Sequence, residues 1–123
     1  MKALSVRQPW ASLIMLGIKP VENREWSTLY RGPLLIHASR RHDHGANVSL
    51  APDQLVYGAV FGIVDLIDIV TEHPSPFFTG PYGWVLVNPR RIEPIPMPGR
   101  LRLFDVDLPN DDDDRRCERD VMR

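Results

Sequence analysis

The 123-residue chain reads as an α+β domain: a small barrel of five or six mostly antiparallel strands with one or two short helices. Three observations predict it. Strand-like runs rich in β-branched and aromatic residues recur along the chain, separated by proline, glycine and polar residues. The longest of them, Tyr57 to Val70, is punctuated by Gly58 and Gly62, which bend a strand as barrels require. Only one stretch, residues 9 to 16, has a helical apolar spacing.

Taken in order, Lys2 to Val6 is the first strand, and Arg7-Gln8-Pro9-Trp10 turns the chain. Pro9 suits a first helical turn, where its missing N–H costs nothing. Trp10, Leu13, Ile14 and Leu16 form the helix's apolar face, and Gly17 stops it. Val21 to Trp26 is extended, and Tyr30-Arg31-Gly32-Pro33 is a turn. In the strand Leu34 to Ser39, Leu34, Ile36 and Ala38 share one face, and Leu35, His37 and Ser39 share the other. Residues 40 to 54 are a polar loop or short helix. After the long strand, Pro74, Pro76 and Gly80-Pro81 make a loop. Tyr82 to Val87 is the next strand, ended by Asn88-Pro89. Prolines 94, 96 and 98 confine the following segment to an extended edge. Leu101, Leu103 and Val106 mark a last strand. From Leu108 onward the low hydrophobicity and Asp111 to Asp114 predict disorder or a frayed helix. The expected division is a folded domain over 1–106 and an acidic, flexible tail over 107–123.

Composition narrows the classes. No apolar run approaches the ~20 residues that span a bilayer, so no membrane role is expected. The single cysteine, Cys117, allows no internal disulfide and no cysteine-rich zinc site. With a first segment that reaches Lys2 and Arg7 too early for a signal peptide, this points to the cytoplasm. The near-zero net charge hides an asymmetry. Residues 1–50 carry seven Lys or Arg against three acids, and residues 105–123 carry eight acids against four arginines. A basic first half suits a polyanion; solvated surface is the plain alternative for both halves.

Chemistry concentrates in Gly17-Ile18-Lys19-Pro20-Val21-Glu22-Asn23-Arg24. If residues 20–24 are extended, Glu22 and Arg24 share a face. An acid and two bases there can hold a polar ligand or move a proton, or simply pair with one another on the surface. Arg7 and Arg24 offer forked donors to phosphate or carboxylate. Trp10, Trp26, Tyr82 and Trp84 can stack a base or pack a core. His37 and Ser39 share a strand face, as general base and hydrogen-bond donor or as satisfied interior groups. Ser39, Arg40 and Arg41 are placed to touch phosphate. His42-Asp43-His44 matches no common zinc spacing, and no metal is expected. No phosphate-binding glycine loop or dinucleotide fingerprint occurs, so no nucleotide cofactor is expected.

Several of these segments together resemble the ASCH domain. They are Ser5-Val6-Arg7-Gln8-Pro9-Trp10-Ala11, Gly17-x-Lys19-x-x-Glu22-x-Arg24 with Trp26, and Tyr30-Arg31-Gly32-Pro33-Leu34-Leu35-Ile36-His37-Ala38-Ser39. In the second half they are Gly58-Ala59-Val60-Phe61-Gly62, Tyr82-Gly83-Trp84-Val85-Leu86, Pro89-Arg90-Arg91-Ile92 with Pro94-Ile95-Pro96, then Gly99 and Leu103-Phe104. The resemblance covers residues 2 to 106. It implies a PUA-like barrel closed by a helix at one end, in a family associated with RNA processing, transcription coactivation and modified nucleosides. Some small bacterial members hydrolyse the amide of N4-acetylcytidine, and ribonuclease activity occurs in the family. In the amidohydrolases the lysine matching Lys19 is catalytic, but they carry threonine where this chain has Glu22. The resemblance therefore implies an RNA- or modified-nucleoside-binding domain. The ligand groups are Arg7, Trp10, Arg24, Trp26, His37, Ser39, Arg40, Tyr82 and Trp84. The alternative is a metal-independent amidohydrolase or ribonuclease using Lys19 and Glu22. The expected partner is RNA or a nucleoside, with the protein a monomer or weak homodimer.

Overall fold

A computed structural model describes residues 1–108. Its order is β1 (Lys2–Gln8), α1 (Trp10–Met15), β2 (Val21–Arg24), β3 (Gly32–His42), a 3₁₀ turn (Pro52–Gln54), β4 (Ala59–Val70), β5 (Tyr82–Pro96) and β6 (Phe104–Asp105). The six strands make one sheet ordered β2-β5-β4-β3-β1-β6. Only β1 and β3 run parallel, with Ser5 opposite His37. The expected α+β barrel of mostly antiparallel strands is present as a curled sheet. No backbone ladder among the described residues joins its end strands. The gap between β2 and β1 is crossed instead by a side chain: Arg24 Nη2 donates to the Ser5 carbonyl at 3.0 Å.

α1 is only six residues, too short to stand on propensity. Gln8 caps it, its Oε1 accepting from the Ser12 backbone N–H at 2.9 Å while Nε2 donates to Ser12 Oγ and the Val56 carbonyl. Gly17, at φ +78°, turns the chain away, and Lys19 N–H closes on the Leu13 carbonyl. The helix packs on the core made by Leu4, Leu34, Ile36, Phe61, Val64 and Trp84. Strand alternation sends Leu35 the other way, into a second cluster with Ala3, Val60, Ile63 and Phe104. β3 is therefore buried on both faces through Leu34–Ala38.

Several boundaries differ from the sequence reading. β1 runs on to Gln8. On α1 it is Met15 that is buried, whereas Leu16, the C-cap residue, is exposed. Met15 reaches Gly62, where a Cβ would stand 2.2 Å from its methyl. β3 continues to His42, shortening the polar loop. Asn88-Pro89 does not end β5: Asn88 takes φ +55°, and its amide and Arg90 both bond Asp65 across the bulge. Residues 90–96 pair with β4 alone, so the proline-rich segment is an extended edge, but as the second half of one long strand. The last strand is short, Phe104–Asp105, and Leu101 projects into solvent. Among the described residues no helix is long and apolar enough to cross a membrane. The acidic tail lies, from residue 109 on, outside the described residues.

Candidate functional site

An open cleft of about 1270 Å³ runs along the gap between β1 and β2. Its floor comes from β2. Glu22 points inward, with one carboxylate oxygen accepting from Lys19 Nζ at 2.6 Å and the other from Arg24 Nε and Nη2 at 3.1 and 2.7 Å. Lys19 donates again to the Val21 carbonyl at 2.6 Å. Both members of the Lys19–Glu22 pair are buried, at 4% and 8% exposure. Two cations on one carboxylate meet the demand that a buried charge be paired and hydrogen-bonded. The β2 alternation does put Glu22 and Arg24 on one face. Among the described residues Arg24 has Nη1 left over.

Glu22, Arg24, Arg7, Trp10, Trp26 and His37 line the cleft, as do Ser39 and Arg40. Three of the singled-out residues do not. Lys19 sits beneath the floor, its ammonium 5.9 Å from the Trp10 ring centre. Trp84 is fully buried in the main core, edge-on to Trp26 at 4.8 Å, with its indole N–H toward the Trp26 carbonyl. Tyr82 packs against the same core. The alternation that puts Tyr82 and Trp84 on one face thus serves packing, since that face of β5 meets the core.

Trp10 is fixed in place. Its indole N–H donates to Asp43 at 3.0 Å, and Phe77 meets it edge-on. That bond, with a second from the Gly45 backbone N–H, holds the Asp43 carboxyl below its ordinary range. His42 and His44 lie beside Asp43, with His42 Nδ1 bonded to the Tyr57 hydroxyl. No group of metal ligands is assembled among the described residues. His37 is 1% exposed and has both ring nitrogens engaged, with Ser5 Oγ at 2.9 Å and the Met97 carbonyl at 2.8 Å. Asn23, which also borders the cleft, ties down the 77–80 loop through the Phe77 carbonyl and the Thr79 and Gly80 amides.

The far wall is the strap 97–102, which the sequence reading passed over. It brings Gly99, Arg100 and Arg102 to the cleft, and Arg102, at φ +58°, lays its guanidinium 5.0 Å over Trp26. The available signal was local: Pro98-Gly99 breaks the strand, and arginines follow at 100 and 102. Ser5 and Arg7, on one face of β1, were equally readable as a pair.

Comparison with known proteins agrees with this fold. The ASCH domain family matches residues 4–96. Activating signal cointegrator 1 of Homo sapiens is 31% identical over 127 aligned positions, covering 85% of this chain and 22% of that protein. Its Mus musculus counterpart is 37% identical over 83 positions, covering 56% of this chain and 14% of that protein. The chain thus spans about a fifth or less of the curated relatives it matches. The crystal structure of ASCH from Zymomonas mobilis superposes with a TM-score of 0.63 at 16% identity, covering 96% of this chain and 93% of that one. A point mutant of the Zymomonas mobilis protein gives 0.62 at 16% identity, with 96% of each chain covered. With the family matched over most of its length and the barrel in place, this chain belongs to the ASCH domain family.

Proposed function

We propose that this ASCH domain binds RNA, seating a base or nucleotide in the cleft above the Gly17-x-Lys19-x-x-Glu22-x-Arg24 segment. One observation carries the reading. Arg7, Arg40, Arg41, Arg100 and Arg102 all line the cleft, and among the described residues none is in ion-pair contact with a carboxylate. Glu22, the acid on the floor, is already neutralised by Lys19 and Arg24. Gathering unpaired like charges costs free energy that an anionic ligand returns, and a phosphodiester chain supplies such charge at the spacing of a groove. Trp10 and Trp26 beside those arginines add stacking surface, worth about 1–3 kcal/mol per base.

The placement of Lys19 favours binding over an amidohydrolase or ribonuclease that uses Lys19 and Glu22. A lysine acting as base or nucleophile must present a lone pair to substrate. Here Nζ is spent on Glu22 and the Val21 carbonyl and lies outside the cleft lining.

The test is fluorescence anisotropy with labelled single-stranded oligoribonucleotides across a salt series. Five phosphate contacts give a log–log slope near −3.5, so affinity falls about 100-fold between 50 and 200 mM salt. Arg100→Ala is expected to flatten the slope by about 0.7. Absent or salt-insensitive binding refutes the reading.

A further inference from the structure

We propose that Ser5 and His37 form a catalytic pair for acyl-ester hydrolysis at the inner end of the cleft, with Ser5 Oγ as nucleophile. The parallel register sets Ser5 directly opposite His37. Ser5 Oγ lies 2.9 Å from Nδ1, and Nε2 lies 2.8 Å from the Met97 carbonyl. A carbonyl only accepts, so in the neutral ring Nε2 carries the hydrogen and the Nδ1 lone pair receives the serine hydroxyl. Nucleophile, base and an orienting third group are thus aligned, and both side chains line the cleft.

Gly99 packs directly over the pair. A Cβ at that position would stand 2.7 Å from Ser5 Oγ and 3.1 Å from His37 Nδ1. At those distances any side chain at 99 displaces Ser5 or His37, and substrate reaches the pair from the cleft that both of them line. Beside the pair, the Arg24 guanidinium bonds the Ser5 carbonyl through Nη2 and supplies a cation against charge developing on the ester oxygen.

In the reaction, Oγ attacks the ester carbonyl carbon as its proton passes to Nδ1. The tetrahedral intermediate collapses, breaking the bond to the alkoxide, which takes the proton back from Nδ1. Water then attacks the acyl-serine with Nδ1 as base, and the carboxylic acid leaves with Ser5 restored. The imidazolium formed on the way faces a neutral carbonyl rather than a carboxylate. This suits esters and thioesters, whose leaving groups are good, rather than amides. The surrounding arginines select an acyl ester carried on a phosphate-bearing nucleotide; this carrier preference rests on the anion-binding reading above, and the ester chemistry does not.

The test uses the full chain. A fluorophosphonate probe is expected to add once, on Ser5 by peptide mass spectrometry. Ser5→Ala, which deletes only a hydroxyl, and His37→Gln are both expected to abolish labelling. They lower p-nitrophenyl acetate turnover by about 10²–10⁴-fold. Gly99→Ala, with an unchanged circular dichroism spectrum, blocks both. No adduct on folded wild type, an adduct elsewhere, or labelling that survives His37→Gln overturns the proposal. The second arm compares 2′(3′)-O-acetyl-AMP with the same ester lacking phosphate. Preference for the phosphorylated ester supports the carrier assignment. Equal turnover overturns that assignment while leaving the serine–histidine chemistry standing.

Discussion

Replacing Lys19 with methionine separates a structural lysine from a reactive one. Its ammonium makes two 2.6 Å bonds, one to Glu22 and one to the Val21 carbonyl, in a site where it is 4% exposed. Methionine matches the length of the stem but leaves the buried Glu22 with Arg24 alone. Breaking a buried ion pair from one side costs about 3–5 kcal/mol. Arg24 keeps two bonds to the other carboxylate oxygen, which holds the cost to about 3 kcal/mol. The lost bond to the Val21 carbonyl adds about 1 kcal/mol. A total of about 4 kcal/mol corresponds to a fall in Tm of about 16 °C or more for a domain of this size. The assay is urea unfolding followed by circular dichroism, with the m-value required to stay constant. Glu22→Gln is expected to cost at least as much, about 3–5 kcal/mol, since it leaves Lys19 and Arg24 without a carboxylate and turns an amide N–H toward the donors of one of them. A Lys19→Met stability within about 1 kcal/mol of wild type refutes the structural assignment of this lysine.

Other perturbations test the scaffold. Gly62→Ala drives a methyl against the Met15 side chain at the centre of the sheet, and equilibrium unfolding is expected to show a loss of about 1–3 kcal/mol. Asn23→Ala removes the three bonds by which this side chain holds the 77–80 loop. It is expected to cost about 2–3 kcal/mol and to speed amide exchange at Thr79 and Gly80. Asp43 is held below its ordinary range by the Trp10 indole first and the Gly45 amide second. Its contribution is therefore complete above the unfolded value of about 3.9 and is lost as pH falls through the lower folded value. The Trp10 indole N–H resonance should move in that acid range, and a midpoint at or above the unfolded value contradicts the bond.

The local order of the chain was legible where a pattern has one physical meaning. Alternation in Leu34–Ser39 assigned both faces of β3 because a strand repeats every two residues. Gly17 marked the helix end because a left-handed residue there favours glycine. Patterns with two meanings misled or stayed open. Asn88-Pro89 resembles a strand terminator, but Asp65 and Arg90 turn it into a bulge, and those partners come from another strand and from beyond the break. Tyr82 and Trp84 share a face in either reading; only the packing of β5 on the core puts Trp84 inside.

The sequence by itself determined the α+β class, the mostly antiparallel barrel, the helix at residues 9–16 and the grouping of Glu22 with Arg24. These depend on residue periodicity and near-neighbour stereochemistry, which the chain carries locally. Tertiary structure alone decided that Lys19 lies under the cleft floor, that residues 97–102 form its far wall, and that Ser5 meets His37. Each of those contacts joins segments far apart in the chain or depends on which side of a strand faces the interior. Such contacts follow from strand register and from how the sheet curls, and neither is written in any single segment.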